Sequence, residues 1–313
     1  MASPAELKEK GVLAINRRNA EYILPINPRQ FYPRVDDKML TKELCHPHNI
    51  PVPETFGVVK LFGQLKELPE MLKGLTDFVI KPASGAGGRG VIVIVETCEQ
   101  GFKKADGTLV TLQDIRYHVS SILSGLFSLG GQPDQAIIES RIVRHPVFDS
   151  IAVGGTPDIR VIVYKGVPVM AMLRLPTLIS GGRANLHQGA IGAGVHLGTG
   201  LTSGGVWKNR AISTHPETEV SIVGIQVPFW DIIIQTSTKL YEILELGYYG
   251  VDFVLDVNKG PIILEANARP GLAIQIANRI GLTKRLQFVD SKNSEKLPVS
   301  DRIALINDIT EIK

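Results

Sequence analysis

Apolar positions in residues 112–126 recur at helical spacing. Leu112, Ile115, Val119, Ile122, Leu123 and Leu126 share one face, which predicts a core-packed helix. The run VPFWDIIIQTSTKLYEILELG predicts a second amphipathic helix closed by Gly247, with Trp230 in the core at its start. Elsewhere the pattern is that of strands. FVIKP and VIVIVE flank a glycine-rich loop, and AIIESRIV is a strand running into a connection. DIRVIVYKGVPVMAMLRLPT predicts two strands around Lys165-Gly166, and YYGVDFVLDVNKGPIILEANARPGL predicts a pair turning at Asn258-Lys259-Gly260. Short helices are expected from Asp37 through Leu44, with acidic residues at the start, and in QLKELPEMLKGL. Residues 1 to about 35 carry Asn16, Asn19, Pro25, Asn27, Pro28 and Pro33 among short apolar pieces and are expected to form an extended arm. The stretch GAIGAGVHLGTGLTSGG has no clear helical pattern and is expected to be a long substrate-facing loop.

The first candidate chemistry lies in FVIKPASGAGGRGVIVIVE. Gly85, Gly87 and Gly90 match G-x-G-x-x-G, but a dinucleotide fingerprint requires a helix after the glycines, and here a strand follows. The unit is therefore a glycine-rich hairpin flap, able to bring backbone N–H groups close to phosphate oxygens. Lys81 ends the strand before the flap, where an ammonium can neutralise α- and β-phosphates. The competing explanation is a flexible turn with a chance lysine, and the rest of the chain has to decide between them.

The last hairpin carries the stronger signal. Asp252 lies on its first strand, and Glu265 and Asn267 lie two apart on the second, so the latter two share a face. Two carboxylates and an amide oxygen are hard ligands suited to Mg²⁺ held jointly with nucleotide phosphates. A solvated outer face is the alternative. It fits poorly with Val251, Phe253, Ile263 and Leu264 as neighbours, because unpaired carboxylates on central strands are costly.

Bulk properties exclude little and redirect nothing. The 313 residues are 44% apolar and 21% charged, ordinary for a folded protein, and a net charge of +3 is weak evidence for any polyanionic partner. No basic run for nucleic acid and no apolar run long enough to span a bilayer occurs. Cys45 and Cys98 follow no metal or redox spacing, which with the lack of a signal-peptide pattern predicts a cytoplasmic protein. His46 and His48, separated by a proline, predict a solvated turn rather than a metal site.

DDKMLTK, IKPASGAGGRGV, IIESRIV and GVDFVLDVNKGPIILEANARPGL occur in the order seen in ATP-grasp enzymes, and DIRVIVYKGVPVMAMLRLPTLISGGRANLHQGA is similar to α-L-glutamate ligases that extend a ribosomal protein tail. The resemblance covers about residues 36 to 285. Those ligases usually have a full α/β domain ahead of the core, whereas the opening INRRNAEYILPINPRQFYPRVDDK looks like a glutamate-ligase-like subfamily that begins almost at the core. The acceptor is left open.

The resemblance implies an α+β ATP-grasp fold, two α+β subdomains clasping the nucleotide. These would comprise an arm (1–35), a flap-bearing subdomain (36–145), a metal-bearing subdomain (146–290) and a tail (291–313). It implies ATP with Mg²⁺, and Mn²⁺ as a substitute. Lys38 and Lys81 would bind phosphates under the flap of Ser84, Gly85, Gly87, Gly88 and Gly90, and Glu139, Ser140, Arg141 and Ile142 would hold adenine. Asp252, Glu265 and Asn267 would hold the metal. A carboxylate would take the γ-phosphoryl group as an acyl phosphate, and an amine would displace phosphate to form an amide. Arg174, Arg183, Asn185 and Arg269 are the implied stabilisers of anionic charge, with Arg160 and His187 as substrate contacts. The favoured substrate is glutamate or a related amino acid or peptide. The acceptor could be a protein or a cell-surface precursor, and the resemblance is compatible with a homo-oligomer. Two other classes use the same nucleotide site: a kinase that keeps the phosphate on its product, and a non-catalytic nucleotide-binding module.

Overall fold

The β-branched runs pair antiparallel in two sheets. The computed structural model describes residues 3–85 and 87–312. One unit is built from Asp37–Met39 and Val52–Val143, the other from Met1–Asp36, Leu40–Pro51 and Arg144–Lys313.

The smaller unit holds β1 (Thr55–Val59), β2 (Phe78–Pro82), β3 (Ile92–Cys98), β4 (Gly101–Lys104), β5 (Leu109–Val110) and β6 (Ala136–Glu139), in the order β1-β6-β2-β3-β4-β5. The helix Leu112–Leu123 starts with a reciprocal cap, Thr111 with Asp114, and packs Ile115, Val119 and Ile122 with Phe78, Ile80 and Ile138 in the core. Gly125, at φ +83°, ends that helix, so Leu126 leaves the expected face and is exposed.

The larger unit holds β7 (Asp158–Tyr164), β8 (Val167–Leu175), β9 (Ile191–Val195), β10 (Leu201–Trp207), β11 (Arg210–Ile212), β12 (Val223–Gln226), β13 (Tyr248–Asp256) and β14 (Gly260–Asn267). Their order is β11-β10-β9-β8-β7-β13-β14, with β12 on β10. Every residue of β8 and β13 is buried, so both faces of these strands are covered and their sequences run apolar without alternation. The helices Trp230–Leu244 and Val299–Thr310 pack against this sheet. Trp230 is core, as expected, and its indole N–H donates to the Leu197 carbonyl. The helix it opens ends at Glu245 in the left-handed region; Gly247 instead gives room to Ile26, whose Cδ1 lies 2.5 Å from where a Cβ would stand.

Two further expectations give way. The glycine-rich stretch expected as a long loop forms β9 and β10 within the large sheet. A Cβ on Gly194 would stand 2.9 Å from the Ala277 carbonyl oxygen and from Asn278 Oδ1, so these glycines let the helix Ile274–Asn278 press onto the strands. The N-terminal segment is a series of short helical turns, Pro4–Glu9, Ile15–Arg17, Arg18–Ile23 and Arg29–Phe31, rather than an extended arm. Leu13, Tyr22 and Ile23 are buried, and Asn27 mimics a strand neighbour by donating to the Tyr248 carbonyl at 2.6 Å and accepting its N–H at 2.8 Å. His46–His48 is an exposed 3₁₀ turn, as expected.

Candidate functional site

In the smaller unit, Lys81 lies on β2 and Glu139 on β6, and these strands pair. Lys81 is 5% exposed and Glu139 2%, and Lys81 Nζ stands 2.5 Å from Glu139 Oε1. Among the described residues the ammonium makes no hydrogen bond of regular geometry. A buried lysine with three donors and a single carboxylate contact can serve a phosphate oxygen, and this is the feature of the unit that fits a nucleotide. Lys38 Nζ donates to the Gly85 carbonyl at 2.7 Å and to the Ala83 carbonyl at 3.3 Å, so it grips the root of the glycine loop. Gly87, Gly88 and Gly90 all have positive φ. At Gly90 a side chain is excluded twice, by φ +73° and by the Phe127 ring 2.5 Å from a Cβ. A Cβ on Gly85 would meet Pro82 Cγ at 2.2 Å, because the chain folds back on the end of β2. In the segment expected to hold adenine, the Ser140 N–H is committed to the Glu54 carbonyl and its Oγ to the Glu54 N–H, while Arg141 Nε bonds Asp77 at 2.6 Å. Ile142 is partly exposed.

In the larger unit, ladder register lines charges across four strands. Arg174 on β8 lies opposite Asp158 on β7, Arg160 on β7 opposite Asp252 on β13, and Asp252 opposite Glu265 on β14. A β-bulge beside the Asp252–Glu265 pair re-aims the side chains there. Arg160 clamps Asp252 with Nε at 2.7 Å and Nη2 at 2.5 Å. Arg174 bonds Asp158 through Nε and Nη2, and its Nη2 also reaches Asp252 at 2.7 Å. Asn267 Nδ2 donates to Glu265 Oε1 at 3.3 Å, and both residues are partly exposed, whereas Asp252 is fully buried.

The electrostatics follow from burial against pairing. Burial pushes the Asp158 carboxyl up to about 7, reinforced by the negative Asp252 and opposed by Arg174. Burial also works against ionisation of Asp252, but Arg160 and Arg174 outweigh it and bring that carboxyl down to about 2. Burial disfavours the Arg174 charge, yet Asp158 and Asp252 raise its pKa above the ordinary value. Above about pH 7, where Asp158 too is ionised, three carboxylates (Asp158, Asp252 and Glu265) face two guanidiniums, leaving one negative charge in excess. That excess, presented through the partly exposed oxygens of Glu265 and Asn267, fits a hard divalent cation. Among the described residues no group of three or more His, Cys, Asp or Glu could hold a metal by itself, so a cation here needs Asn267 and further oxygens such as phosphate.

The remaining expected residues are exposed or have local partners. Asn185 Oδ1 caps its own turn by accepting the His187 N–H at 3.0 Å. Arg183 and His187 are exposed on that loop, and Arg269 is exposed over the Tyr32 ring. Trp207 donates to the Gly189 carbonyl, with Lys208 over its ring. Asp158 was not among the expected residues. Its signal was present as an acid two positions before Arg160, on the same strand face.

A unit with a glycine hairpin rooted beside a buried lysine, and another with a carboxylate-bearing antiparallel strand pair, define the ATP-grasp class. The chain belongs to the sugar-transfer associated ATP-grasp family, whose model matches residues 17–291. No curated protein matches it. Among solved structures it is similar to the ATP-grasp ligase PsnB complexed with minimal precursor, at 11% identity and TM-score 0.47, over 87% of this chain and 64% of that one. It thus spans less than two thirds of PsnB. D-cycloserine synthetase DcsG matches at 14% identity and TM-score 0.46, over 85% of this chain and 73% of that one. D-alanine–D-alanine ligase from Bacillus anthracis complexed with ATP matches at 13% identity and TM-score 0.42, over 88% and 67%. Among the described residues no helix is long and apolar enough to cross a membrane.

Proposed function

We propose that the protein is an ATP-dependent carboxylate–amine ligase. The observation that carries this reading is the charge stripe of the larger unit, where Glu265 and Asn267 present the excess negative charge that Arg160 and Arg174 leave uncompensated around Asp252. In this reading Glu265 and Asn267 hold Mg²⁺, with Asp252 behind them, and the ion when bound offsets phosphate charge. Lys81, released in part from Glu139, supplies the ammonium for the α- and β-phosphates, and the glycine loop supplies backbone N–H groups. The substrate carboxylate attacks the γ-phosphorus and ADP leaves. The amine then attacks the acyl carbon, phosphate departs, and the amine proton is lost to solvent or a base.

Arg174, held on two sides by carboxylates, acts through Asp252 rather than on the acyl phosphate. Charge stabilisation on the acyl group then falls to the exposed Arg183 and Arg269, with His187 as a substrate contact. The family's association with sugar transfer favours an amine on a sugar-bearing precursor over a ribosomal protein tail as the acceptor. The carboxylate donor is an amino acid such as glutamate.

The test is phosphate release from Mg-ATP against a panel of amino acids, amino sugars and short acidic peptides, with mass spectrometry of each mixture. A mass gain equal to condensation together with free phosphate is expected. A product carrying the phosphate would replace the ligase with a kinase.

A further inference from the structure

The glycine loop is anchored at both ends by residues to which no role has yet been given. Asp134 is 7% exposed, and its carboxylate accepts the Ser84 N–H through both oxygens at 3.1 Å, the Ser128 hydroxyl at 2.8 Å and the Gln135 N–H at 2.8 Å. Among the described residues it has no cationic partner. A carboxylate in the interior needs hydrogen-bond donors, and here they are two backbone N–H groups and the Ser128 hydroxyl. Two of those donors, Ser84 and Ser128, belong to the two segments bridged by the Gly85–Ser128 ladder contact. Lys38 holds the Gly85 carbonyl from the same root. At the far end, His118 on the helix Leu112–Leu123 meets the Gly90 carbonyl through Nε2 at 2.9 Å, and its ring lies against Phe127, the ring that excludes a side chain at Gly90. Neutral imidazole with the proton on Nε2 donates this bond.

We propose that Asp134 and His118 are the positioning residues of the glycine loop. Asp134 fixes the peptide of Ser84 where the loop begins, and His118 fixes Gly90 where it ends, so that the Gly88 and Arg89 N–H groups next to the second anchor are held in advance for a nucleotide's phosphates. The inference rests on the phosphate-binding reading of this loop. Pre-ordering places its consequence in affinity: the entropy of ordering a loop of mobile glycines is paid during folding instead of during binding. Loss of an anchor therefore raises the dissociation constant and KM for the nucleotide and leaves kcat at saturation nearly unchanged. A merely structural role would lower the melting temperature and leave the affinity of the folded fraction unaltered.

The experiment measures Mg-ADP binding by calorimetry on the full chain, together with tryptic cleavage after the exposed Arg89 with and without Mg-ADP. Wild type is expected to bind and to be protected at Arg89. Asp134→Asn and His118→Ala are each expected to bind about 10-fold more weakly and to be cut faster at Arg89 without nucleotide, as the loss of one strong hydrogen-bonded anchor implies. His118→Gln, whose amide can donate in place of the imidazole N–H, is expected to restore affinity. Should Asp134→Asn fail to fold, Ser128→Ala removes one arm of the same anchor and is expected to weaken binding in the same direction. Wild-type binding with unchanged affinity and cleavage in the variants would overturn the positioning role and leave the nucleotide reading intact. Failure of wild type itself to bind Mg-ADP would overturn the nucleotide reading and this inference with it.

Discussion

Replacing Arg174 with methionine separates a group that acts on substrate from one that holds the site together. The guanidinium is 8% exposed and bonds two carboxylates, of which Asp158 is 5% exposed and Asp252 fully buried. Removing one member of a buried ion pair costs about 3–5 kcal/mol, because the remaining charge is stranded. Asp158 has an escape that Asp252 lacks. Its carboxyl, already pushed up to about 7 by burial, can take a proton. In the unfolded chain that carboxyl ionises near pH 4, so between about pH 4 and 7 the folded state binds the extra proton. The stability contributed by this group is complete below pH 4 and is lost as pH rises through 7.

Arg174→Met is therefore expected to lose about 3–5 kcal/mol at pH 8, where the Asp158 that the wild type holds ionised beside Arg174 must either stand unpaired or, its carboxyl pushed further up once the guanidinium is gone, take a proton. At pH 5 Asp158 is protonated in either protein, and the loss falls toward that of the single Asp252 hydrogen bond, about 1.5–3 kcal/mol. Thermal and urea unfolding of both proteins at the two pH values read the difference, and comparing variant with wild type at each pH cancels the groups they share. A loss below about 1 kcal/mol at pH 8, or one equal at both pH values, would refute the stranded-carboxylate reasoning. An arginine that only stabilises an acyl phosphate would show the first of these patterns, near-intact stability, together with reduced turnover.

Glu265→Gln is expected to abolish turnover while leaving stability unchanged or slightly raised, since it removes the negative charge in excess around Asp252; steady-state kinetics and melting temperature check both halves, and a destabilised but active variant would contradict the assignment. Lys81→Met should weaken Mg-ADP binding by about 10- to 100-fold through loss of a charge-assisted phosphate contact, measurable by calorimetry, and unchanged affinity would remove Lys81 from the phosphate site. Gly194→Ala tests the fold alone: its Cβ would press on the Ala277 carbonyl and Asn278 at 2.9 Å, so a loss of about 1–3 kcal/mol by unfolding is expected, and a neutral result would show that the helix Ile274–Asn278 can step back from β9.

What was legible in the chain is what local geometry settles. Asp252, Glu265 and Asn267 could be grouped because a short turn joins β13 to β14, so the period of two and the turn determine which residues face one another. The strand, glycine loop and strand around Lys81 could be read for the same reason. The glycines of β9 and β10 were misread because a glycine is a loop signal unless something presses on it, and what presses here is a helix at Ile274–Asn278, about eighty residues away. The N-terminal segment was misread because its asparagines and prolines signal turns locally, while Asn27 finds its partner in Tyr248. Arg174 shows where the limit matters for function. On its own strand it is an arginine free to meet a substrate; once β8 pairs with β7 and β7 with β13, Asp158 and Asp252 enclose it, and while the β7–β8 hairpin is local, the β7–β13 pairing that brings in Asp252 joins strands distant in the chain. Its chemistry is thereby turned inward, from the reacting group to the carboxylate behind the proposed cation. In the proposed site its part is to keep Asp252 ionised and in place, which is why its removal should be felt in stability, and differently at each pH, before it is felt in the affinity for ATP.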